Sequence, residues 1–187
     1  MKDIMIDIET MGTKPGCAIV SIGAIQFDIA TGETGKKFYC NIDLADCQQN
    51  GLTIDANTVW WWLSQNKDAQ NALNLDRDLL EHALLKFEKW FEDINDKDIQ
   101  VWANSPSFDL SVLEAAFNII GRKQPWFYWQ ERCVRTLVSF NPELKKSIIN
   151  DLPHDAISDC LYQIKYCSAI YNSININIET LKNQNNG

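Results

Sequence analysis

The sequence lacks a long apolar run and any pattern typical of a signal peptide. Its first residues, Lys2 and Asp3, lead directly into an apolar alternation that is too short for a signal peptide. No later run approaches the ~20 apolar residues that a membrane-spanning helix needs. These absences predict that the protein has no membrane partner and is cytoplasmic, which means the host cytoplasm if a phage encodes it.

The sequence also lacks an excess of basic residues. Lysine and arginine number 17 against 25 aspartates and glutamates, which gives a formal net charge of −8. An acidic chain does not fit a protein that coats nucleic acid generally. It does fit an enzyme that holds one strand end through bound cations and a local basic patch, because a carboxylate cluster for cations would itself lower the isoelectric point.

Metal-binding cysteine patterns are absent as well. The six cysteines form no Cys-x-x-Cys pair and no Cys/His cluster with zinc-finger spacing. Most have apolar neighbours, among which a free thiol behaves as a small hydrophobic group. We therefore expect reduced, structural cysteines, as in a cytosolic protein.

What is present is the composition of one folded domain. The chain has 187 residues, of which 45% are hydrophobic and 22% charged, and a chain of this length can bury a core without disulfides. Neither a linker nor an internal repeat divides it. We assign residues 1–175 to one domain and interpret residues 176–187 as a candidate flexible tail.

The first part of the chain predicts three strands. Residues 3–9, 18–28 and 36–42 are rich in apolar β-formers and are joined by short loops, which favours an antiparallel meander. Gly23 inside the second strand indicates a bulge or a close backbone approach. Residues 43–57 are polar and irregular.

The second part predicts alternating helices and strands. Helices are expected over 57–65, 76–95, 108–120 and 155–171, a strand over 99–103, and a further strand and helix start within 126–138. This order predicts an α/β domain with a mixed sheet flanked by helices.

Two carboxylates stand close together on the first strand. Asp7 and Glu9 are two residues apart, so both side chains point to the same face near the strand's carboxyl end, where ligands bind in α/β sheets. Such close carboxylates repel unless a positive charge lies between them, and their oxygens suit Mg²⁺ or Mn²⁺. For an isolated Asp-x-Glu, two surface acids are the more common explanation.

Later positions carry groups that could join Asp7 and Glu9 in an active site, and each group also has a simpler structural explanation. Asp109 begins a predicted helix, where aspartate is also a favoured cap. His154 precedes the last helix and is either a general base or a turn residue. Asp155 and Asp159 share one helix face, so spacing alone does not say which is a ligand and which is merely solvated. The other histidine, His82, lies in the middle of an amphipathic helix and is interpreted as structural.

Taken in order, three motifs resemble those of the DnaQ-like, or DEDDh, 3′–5′ exonucleases of the ribonuclease H-like fold. The motifs are Asp7-Ile8-Glu9-Thr10, Phe108-Asp109 and His154-Asp155-Ala156-Ile157-Ser158-Asp159. In the family's His-x-Ala-x-x-Asp pattern the last aspartate is the ligand, which selects Asp159 over Asp155. Histidine at position 154, in place of tyrosine, indicates the DEDDh branch. The resemblance covers residues 3–165.

A narrower resemblance is to the branch of phage-type exodeoxyribonuclease A and the ribonuclease AS-like enzymes. It rests on the compact length and on the segments Thr58-Val59-Trp60-Trp61-Trp62 and Arg135-Thr136-Leu137. Members act on single-stranded DNA or on RNA, and we favour DNA slightly. Because relatives are often dimers, a homodimer with the tryptophan-rich segment at its interface is left open.

The resemblance implies the fold and the chemistry. It implies a ribonuclease H-like fold whose five-stranded mixed sheet joins a three-strand antiparallel meander to parallel strands. It implies release of 5′-mononucleotides from 3′ ends of single-stranded DNA or RNA, with His154 as general base. Two divalent cations, Mg²⁺ or Mn²⁺, would be held by the motif carboxylates Asp7, Glu9, Asp109 and Asp159.

The resemblance also suggests substrate contacts. Thr10 and Met11 follow the first motif, and Met11 would pack on the terminal base. Asn104 and Phe108, before the second carboxylate, would line the same cleft. These four residues are the predicted substrate-binding set.

Aromatic and basic side chains offer further contacts with a single strand. Trp60, Trp61 and Trp62 could stack on bases, but we expect at least two of them in the core, since three consecutive helical residues cannot share one face. A loosely basic region either follows the phosphate backbone or is simply solvated. Its members are Arg132, Arg135, Lys145 and Lys146.

Three other functions are alternatives. An inactive nucleic-acid-binding or partner-binding module would usually lack one of the five active-site residues, and all five are present. Another ribonuclease H-like enzyme, such as an endonuclease, would release internal fragments, whereas the His-x-Ala-x-x-Asp pattern favours an exonuclease. A proofreading subunit that works only within a polymerase complex gains no support from the acidic composition.

Overall fold

A single mixed sheet runs through the computed structural model, which describes residues 1–72, 76–94, 96–149 and 154–185. Its six strands are β1 (Asp3–Thr10), β2 (Ile19–Phe27), β3 (Thr34–Ile42), β4 (Arg77–Asp78), β5 (Gln100–Ala103) and β6 (Glu131–Cys133), in the order β4-β3-β2-β1-β5-β6. The first three strands form the predicted antiparallel meander. Strands β5 and β6 extend the sheet parallel to β1.

The α/β class and the mixed sheet are confirmed, with one strand more than the five expected. The extra strand is β4, which pairs in parallel with Asn41 and Ile42 of β3. A two-residue strand is too short to show a period of two, so it was not visible in the sequence. Because Arg77 and Asp78 pair with β3, the helix expected from residue 76 begins only at Leu80.

The helices lie before, between and after the strands. They are α1 (Leu44–Gln49), α2 (Ala56–Leu63), α3 (Lys67–Ala72), α4 (Leu80–Glu92), α5 (Asp109–Ile119), α6 (Val134–Val138), α7 (Pro142–Lys146) and α8 (Ala156–Asn185), with a 3₁₀ turn over Tyr128–Gln130. Helix α1 lies in the stretch predicted to be irregular, where the carboxylate of Asp43 caps it by accepting the N–H of Asp46.

Helix α8 extends well beyond its predicted end at residue 171, as far as Asn185. The flexibility proposed for residues 176–187 and the division of the chain at residue 175 stay predictions. The predicted end of α4 at Asn95 lies outside the described residues.

Strand β1 is the centre of the sheet, and its two faces pack against different helices. Ile4, Ile6 and Ile8 belong to an apolar cluster that includes Phe87 of α4 and Leu113 of α5. Met5, on the opposite face, packs in a second cluster with residues of α8. Since β1 is covered on both sides, polar side chains on it need partners or a ligand.

Gly23 in β2 lets helix α8 lie directly on the sheet. A Cβ atom at Gly23 would lie 2.6 Å from the carbonyl carbon of Ala156, closer than Cβ atoms approach other atoms. This confirms the close backbone approach rather than a bulge at Gly23. Gly23 also pairs with Asp7 across the ladder, so the same contact places the first turns of α8 beside Asp7.

Two expectations from composition can be compared with the structure. All six cysteines are free, and five of them are buried, as expected for reduced structural thiols. Within the described residues, none of the helices is both long enough and apolar enough to cross a bilayer.

Candidate active site

The residues of the three motifs meet in one cleft of about 530 Å³ at the carboxyl end of β1. Strand β1 supplies two of them, the first turn of α5 supplies a third, and the start of α8 supplies the others. The ionisable motif residues that line the cleft are Asp7, Glu9, Asp109, His154 and Asp159. Positions far apart in the sequence are therefore brought together as the motifs predict.

The carboxylates of the cleft differ in the hydrogen bonds that they accept. The Nε2 atom of Gln163 donates to Oδ1 of Asp7 at 2.7 Å, and the backbone N–H of Ser105 donates to Oδ2 of Asp109 at 3.1 Å. Glu9 accepts no hydrogen bond from any residue that the structure describes. Among the described residues, this buried glutamate therefore has no hydrogen-bond donor.

Burial and mutual repulsion disfavour the charged forms of these groups. Burial raises the pKa of Asp7 well above its ordinary value, and the three neighbouring motif carboxylates raise it further. For Glu9, burial and then the charges of the other carboxylates raise the pKa to about 8. Burial raises the pKa of Asp109 to about 6, although the N–H of Ser105 and the charge of Arg135 lower it in part.

The spacing of the ligand atoms suits a bound cation. One carboxylate oxygen each from Glu9 and Asp159, together with a ring nitrogen of His154, lie within 4.8 Å of one another. A cation there would offset the repulsion that raises the pKa values of the carboxylates. The donor set of the cleft therefore fits a divalent ion.

His154 is held by its backbone and by an aromatic neighbour. Its φ of +68° lies in the left-handed region, which is uncommon for residues other than glycine and is often found at functional sites. Its N–H donates to Oδ2 of Asp159 at 3.0 Å, and its ring meets the ring of Trp61 edge to face at 4.9 Å. Pro153, which precedes it, lies outside the described residues.

The geometry separates the two aspartates that spacing could not distinguish. Oδ2 of Asp155 accepts the N–H of Ser158 at 2.8 Å, as a residue at the start of a helix does. Asp159 lines the cleft, and Asp155 is not among the residues that line it. The structure thus places Asp159, the carboxylate that the family pattern selects, in the cleft with the other motif residues.

A second cleft of about 480 Å³ adjoins the first, and the two share Ile8, Glu9, Trp61 and Phe108. Among the predicted substrate-binding residues, Thr10 lines the second cleft, Asn104 the first, and Phe108 both.

Met11 is not brought to either cleft. Its side chain packs against the hydrophobic core, near Trp62 and Leu63 of α2. The expectation that Met11 packs on a terminal base therefore receives no support from its position.

The tryptophan segment differs from the expectation that at least two of its members are buried. Trp62 is 4% exposed and donates from Nε1 to the carbonyl of Thr10 at 3.0 Å. Trp61 is 42% exposed and Trp60 is 71% exposed. Successive helical residues are turned by ~100°, so only Trp62 faces the core. Trp61 stands between the two clefts.

Only part of the basic region reaches the cleft. Arg135 and Lys145 line it, whereas Arg132 donates to Gln100 and to the carbonyl of Trp129. Lys146 pairs with Glu143 at 2.8 Å. His82, the remaining histidine, is exposed on α4 away from the cleft.

Three cleft residues on α8 were not predicted from the sequence. Tyr162, Gln163 and Tyr166 lie three, four and seven residues after Asp159 and line the cleft with it. This is the spacing of one helix face, so the period of the predicted helix could have identified them. None belongs to a motif, which is why they were overlooked.

Comparison with known proteins gives a consistent result. The model of the Rv2179c-like family, described as a 3′–5′ exoribonuclease Rv2179c-like domain, matches residues 2–171. The exodeoxyribonuclease of Enterobacteria phage T4 is 24% identical over 197 residues, covering 88% of this chain and 86% of that protein.

Solved structures share the fold at low identity. Exonuclease X in complex with 5′ overhanging duplex DNA has a TM-score of 0.59 at 16% identity, covering 91% of this chain and 92% of that one. The nuclease domain of 3′hExo, a DEDDh family member bound to rAMP, has a TM-score of 0.61 at 12% identity with the same coverage. E. coli exonuclease I with a dT13 oligonucleotide has a TM-score of 0.66 at 16% identity, and this chain covers 40% of it.

These findings agree with the motifs and with the cleft that they form. The family match spans nearly the whole described domain, and the structural neighbours have the fold that the motifs predict. The chain belongs to the Rv2179c-like family of 3′–5′ exoribonuclease domains, and it is a 3′–5′ exonuclease of the DEDDh type that acts on nucleic acid.

Proposed function

We propose that the cleft hydrolyses the last phosphodiester bond at the 3′ end of single-stranded nucleic acid and releases a 5′-mononucleotide. The observation that carries this proposal is the crowding of four carboxylates, with raised pKa values for Asp7, Glu9 and Asp109, around one open cleft. Such a cluster is unfavourable by itself, and divalent cations would make it stable.

The proposed cofactors are two divalent cations, Mg²⁺ or Mn²⁺. The carboxylate oxygens of the cluster are the ligands that both ions prefer. When bound, the cations would promote formation of the attacking hydroxide and stabilise the charge on the leaving 3′ oxygen. The residues that would hold them are Asp7, Glu9, Asp109 and Asp159.

His154 is the proposed general base. Its ring lines the cleft beside the carboxylates, where it can accept a proton from the attacking water. The Trp61 ring, which lies nearly perpendicular to the imidazole at 4.9 Å, limits the rotation of the imidazole, and the bond from the backbone N–H of His154 to Asp159 fixes its backbone. The base is thereby held close to the cation-binding groups.

The two adjoining clefts suggest how the strand end is held. The terminal nucleoside would enter the second cleft beside Thr10, with its base against the half-exposed ring of Trp61. The preceding phosphates would lie near Arg135 and Lys145, two basic side chains that line the first cleft. Asn104 and Phe108 line the path between them.

Single-stranded DNA is the first candidate substrate. The phage T4 relative, which is similar over most of both chains, is an exodeoxyribonuclease. RNA is the second candidate, because the matching family model is described as an exoribonuclease domain. A homodimer stays a prediction, for which the exposed Trp60 offers an apolar contact.

The test is a time course on two 5′-labelled single strands of one sequence, DNA and RNA, with Mg²⁺, with Mn²⁺ and with EDTA. We expect a ladder that shortens by one nucleotide at a time from the 3′ end and disappears in EDTA and in Asp7→Ala. The strand that shortens faster identifies the substrate. Internal fragments, or no cleavage by folded wild type, would contradict the proposal.

A further inference from the structure

Gln163 is a buried polar residue that touches the cation-binding cluster without being part of it. It is 4% exposed on α8, and its Nε2 donates to Oδ1 of Asp7 at 2.7 Å. It is the only side chain among the described residues that donates a hydrogen bond to Asp7. A single amide therefore controls the rotation of this carboxylate.

The oxygen of the same amide lacks a hydrogen bond in the part of the chain that the structure describes. The Oε1 atom of Gln163 is buried and has no hydrogen-bond partner among the described residues. A buried carbonyl without a donor destabilises a fold, so an apolar side chain of similar size would suit this position better if it served packing alone. Gln163 lines the cleft beside the carboxylates, so its contact with Asp7 explains a buried amide at this position better than packing does.

The backbone that carries Gln163 is fixed relative to β1. Helix α8 packs directly on the sheet where Ala156 meets Gly23, which leaves no space for a Cβ atom between them. Gln163 lies one turn after Asp159 on this helix and therefore faces the same cleft. A donor on a rigid element holds a ligand more accurately than one on a loop.

We propose that Gln163 is a positioning residue, whose amide holds the Asp7 carboxylate in the orientation that receives a divalent cation and thereby sets the cation affinity of the cleft. The inference rests on the proposed function, because it concerns the same site. Residues that hydrogen-bond the ligands of a metal typically change metal affinity or activity by 10- to 100-fold when they are replaced.

The test measures Mn²⁺ binding by isothermal titration calorimetry, without nucleic acid, in wild type and in Gln163→Met. Methionine keeps the volume and removes the donor. We expect roughly 10- to 100-fold weaker binding. The matched control is Ser168→Ala. It replaces another buried polar group of α8 that has no hydrogen-bond partner among the described residues and does not line the cleft, so it should leave binding unchanged.

A second background tests whether Gln163 acts through Asp7. In Asp7→Asn, the further change Gln163→Met should have little additional effect on Mn²⁺ affinity, whereas independent roles would give additive losses. Mg²⁺ dependence of the rate gives a second readout. Gln163→Met should need more Mg²⁺ for half-maximal rate and recover most of the wild-type rate at saturation.

The outcomes separate this inference from the proposed function. If wild type itself binds no Mn²⁺, the proposed function is wrong. If wild type binds Mn²⁺ and folded Gln163→Met binds it equally well, the positioning role alone is wrong. If Gln163→Met does not fold, as judged by circular dichroism in EDTA, the smaller Gln163→Leu is titrated in its place and judged by the same criterion.

Discussion

The two ends of strand β1 carry buried carboxylates with opposite surroundings. Asp3, at the amino end, is 1% exposed and accepts two hydrogen bonds, from Nε1 of Trp102 at 2.8 Å and from the N–H of Ile29 at 3.3 Å. Glu9, six residues later on the same face, is 9% exposed and accepts none from the described residues. Asp3 and Glu9 are thus both buried carboxylates, but they differ in the number of hydrogen bonds that they accept.

The difference shows how a structural carboxylate can be distinguished from a functional one. At Asp3 burial raises the pKa, and the bonds from Trp102 and Ile29 lower it in part. At Glu9 burial raises the pKa and three other carboxylates add to the effect, with no donor to oppose them. Among the described residues, Asp3 thus has hydrogen-bond donors and Glu9 has none, which is the arrangement expected where a ligand is to bind.

The largest expected effect is the loss of activity when a carboxylate of the cleft is neutralised. Asp7→Asn should lower the rate of 3′-end degradation by on the order of a thousandfold, because cations stabilise the transition state by several kcal/mol. Asp3→Asn, the matched change at the other end of β1, should keep most of the activity. Initial rates on a 5′-labelled single strand check both variants. Equal losses of activity would show that the two ends of β1 do not differ in function.

Replacement of His154 should have the next largest effect. We expect His154→Asn to lower kcat by roughly 10²-fold or more, as for the loss of a general base. Asparagine tolerates the left-handed backbone that His154 adopts, so the effect will report on the ring. His82→Asn on the exposed face of α4 is the control. A wild-type kcat in His154→Asn would assign the base to another group.

Replacement of Asp3 should lower the stability of the fold, whereas replacement of Glu9 should raise it. Asp3→Ala leaves the donors of Trp102 and Ile29 without an acceptor, which should cost about 1–3 kcal/mol. For a chain of this length, each kcal/mol lowers the melting temperature by about 2–4 °C. Thermal unfolding in EDTA measures the shift. An unchanged melting temperature would show that the bonds to Asp3 do not stabilise the fold.

The smallest expected effect is a pH dependence of stability in EDTA. Burial and repulsion raise the pKa of Glu9 from 4.5 to about 8. A raised pKa means that the folded state holds the proton on Glu9 more tightly than the unfolded state does. The stability that this proton contributes to the fold is fully present below pH 4.5 and is lost as the pH rises to about 8. Glu9→Gln should therefore unfold at a higher temperature than wild type at pH 8, by about 2–4 °C if it gains about 1 kcal/mol. At pH 4.5 the melting temperatures of Glu9→Gln and wild type should differ less. A lower melting temperature of Glu9→Gln at pH 8 would contradict the raised pKa of Glu9.

The sequence predicted the parts of the fold and site that depend on short periods and on motifs. The meander follows from alternating residues, and the positions of Asp7 and Asp109 follow from the ends of the elements that carry them. Gly23 was assigned to a bulge or a close approach, and its contact with Ala156 explains why only glycine fits there.

The rest depends on contacts between distant residues. Strand β4 exists because Arg77 and Asp78 pair with β3, which no local pattern reveals. The orientation of α2 decides that Trp62 is buried while Trp61 faces the clefts, and the sequence does not give that orientation. Gln163 belongs to no motif, so its contact with Asp7 became visible only in three dimensions.

The central claim, that the carboxyl end of β1 gathers divalent cations and the amino end does not, is tested most directly by calorimetric titration of Mn²⁺. Wild type and Asp3→Asn should each bind two ions per chain, and Asp7→Asn should lose at least one of them. Absence of Mn²⁺ binding in folded wild type, or equal binding in Asp7→Asn, would contradict the claim.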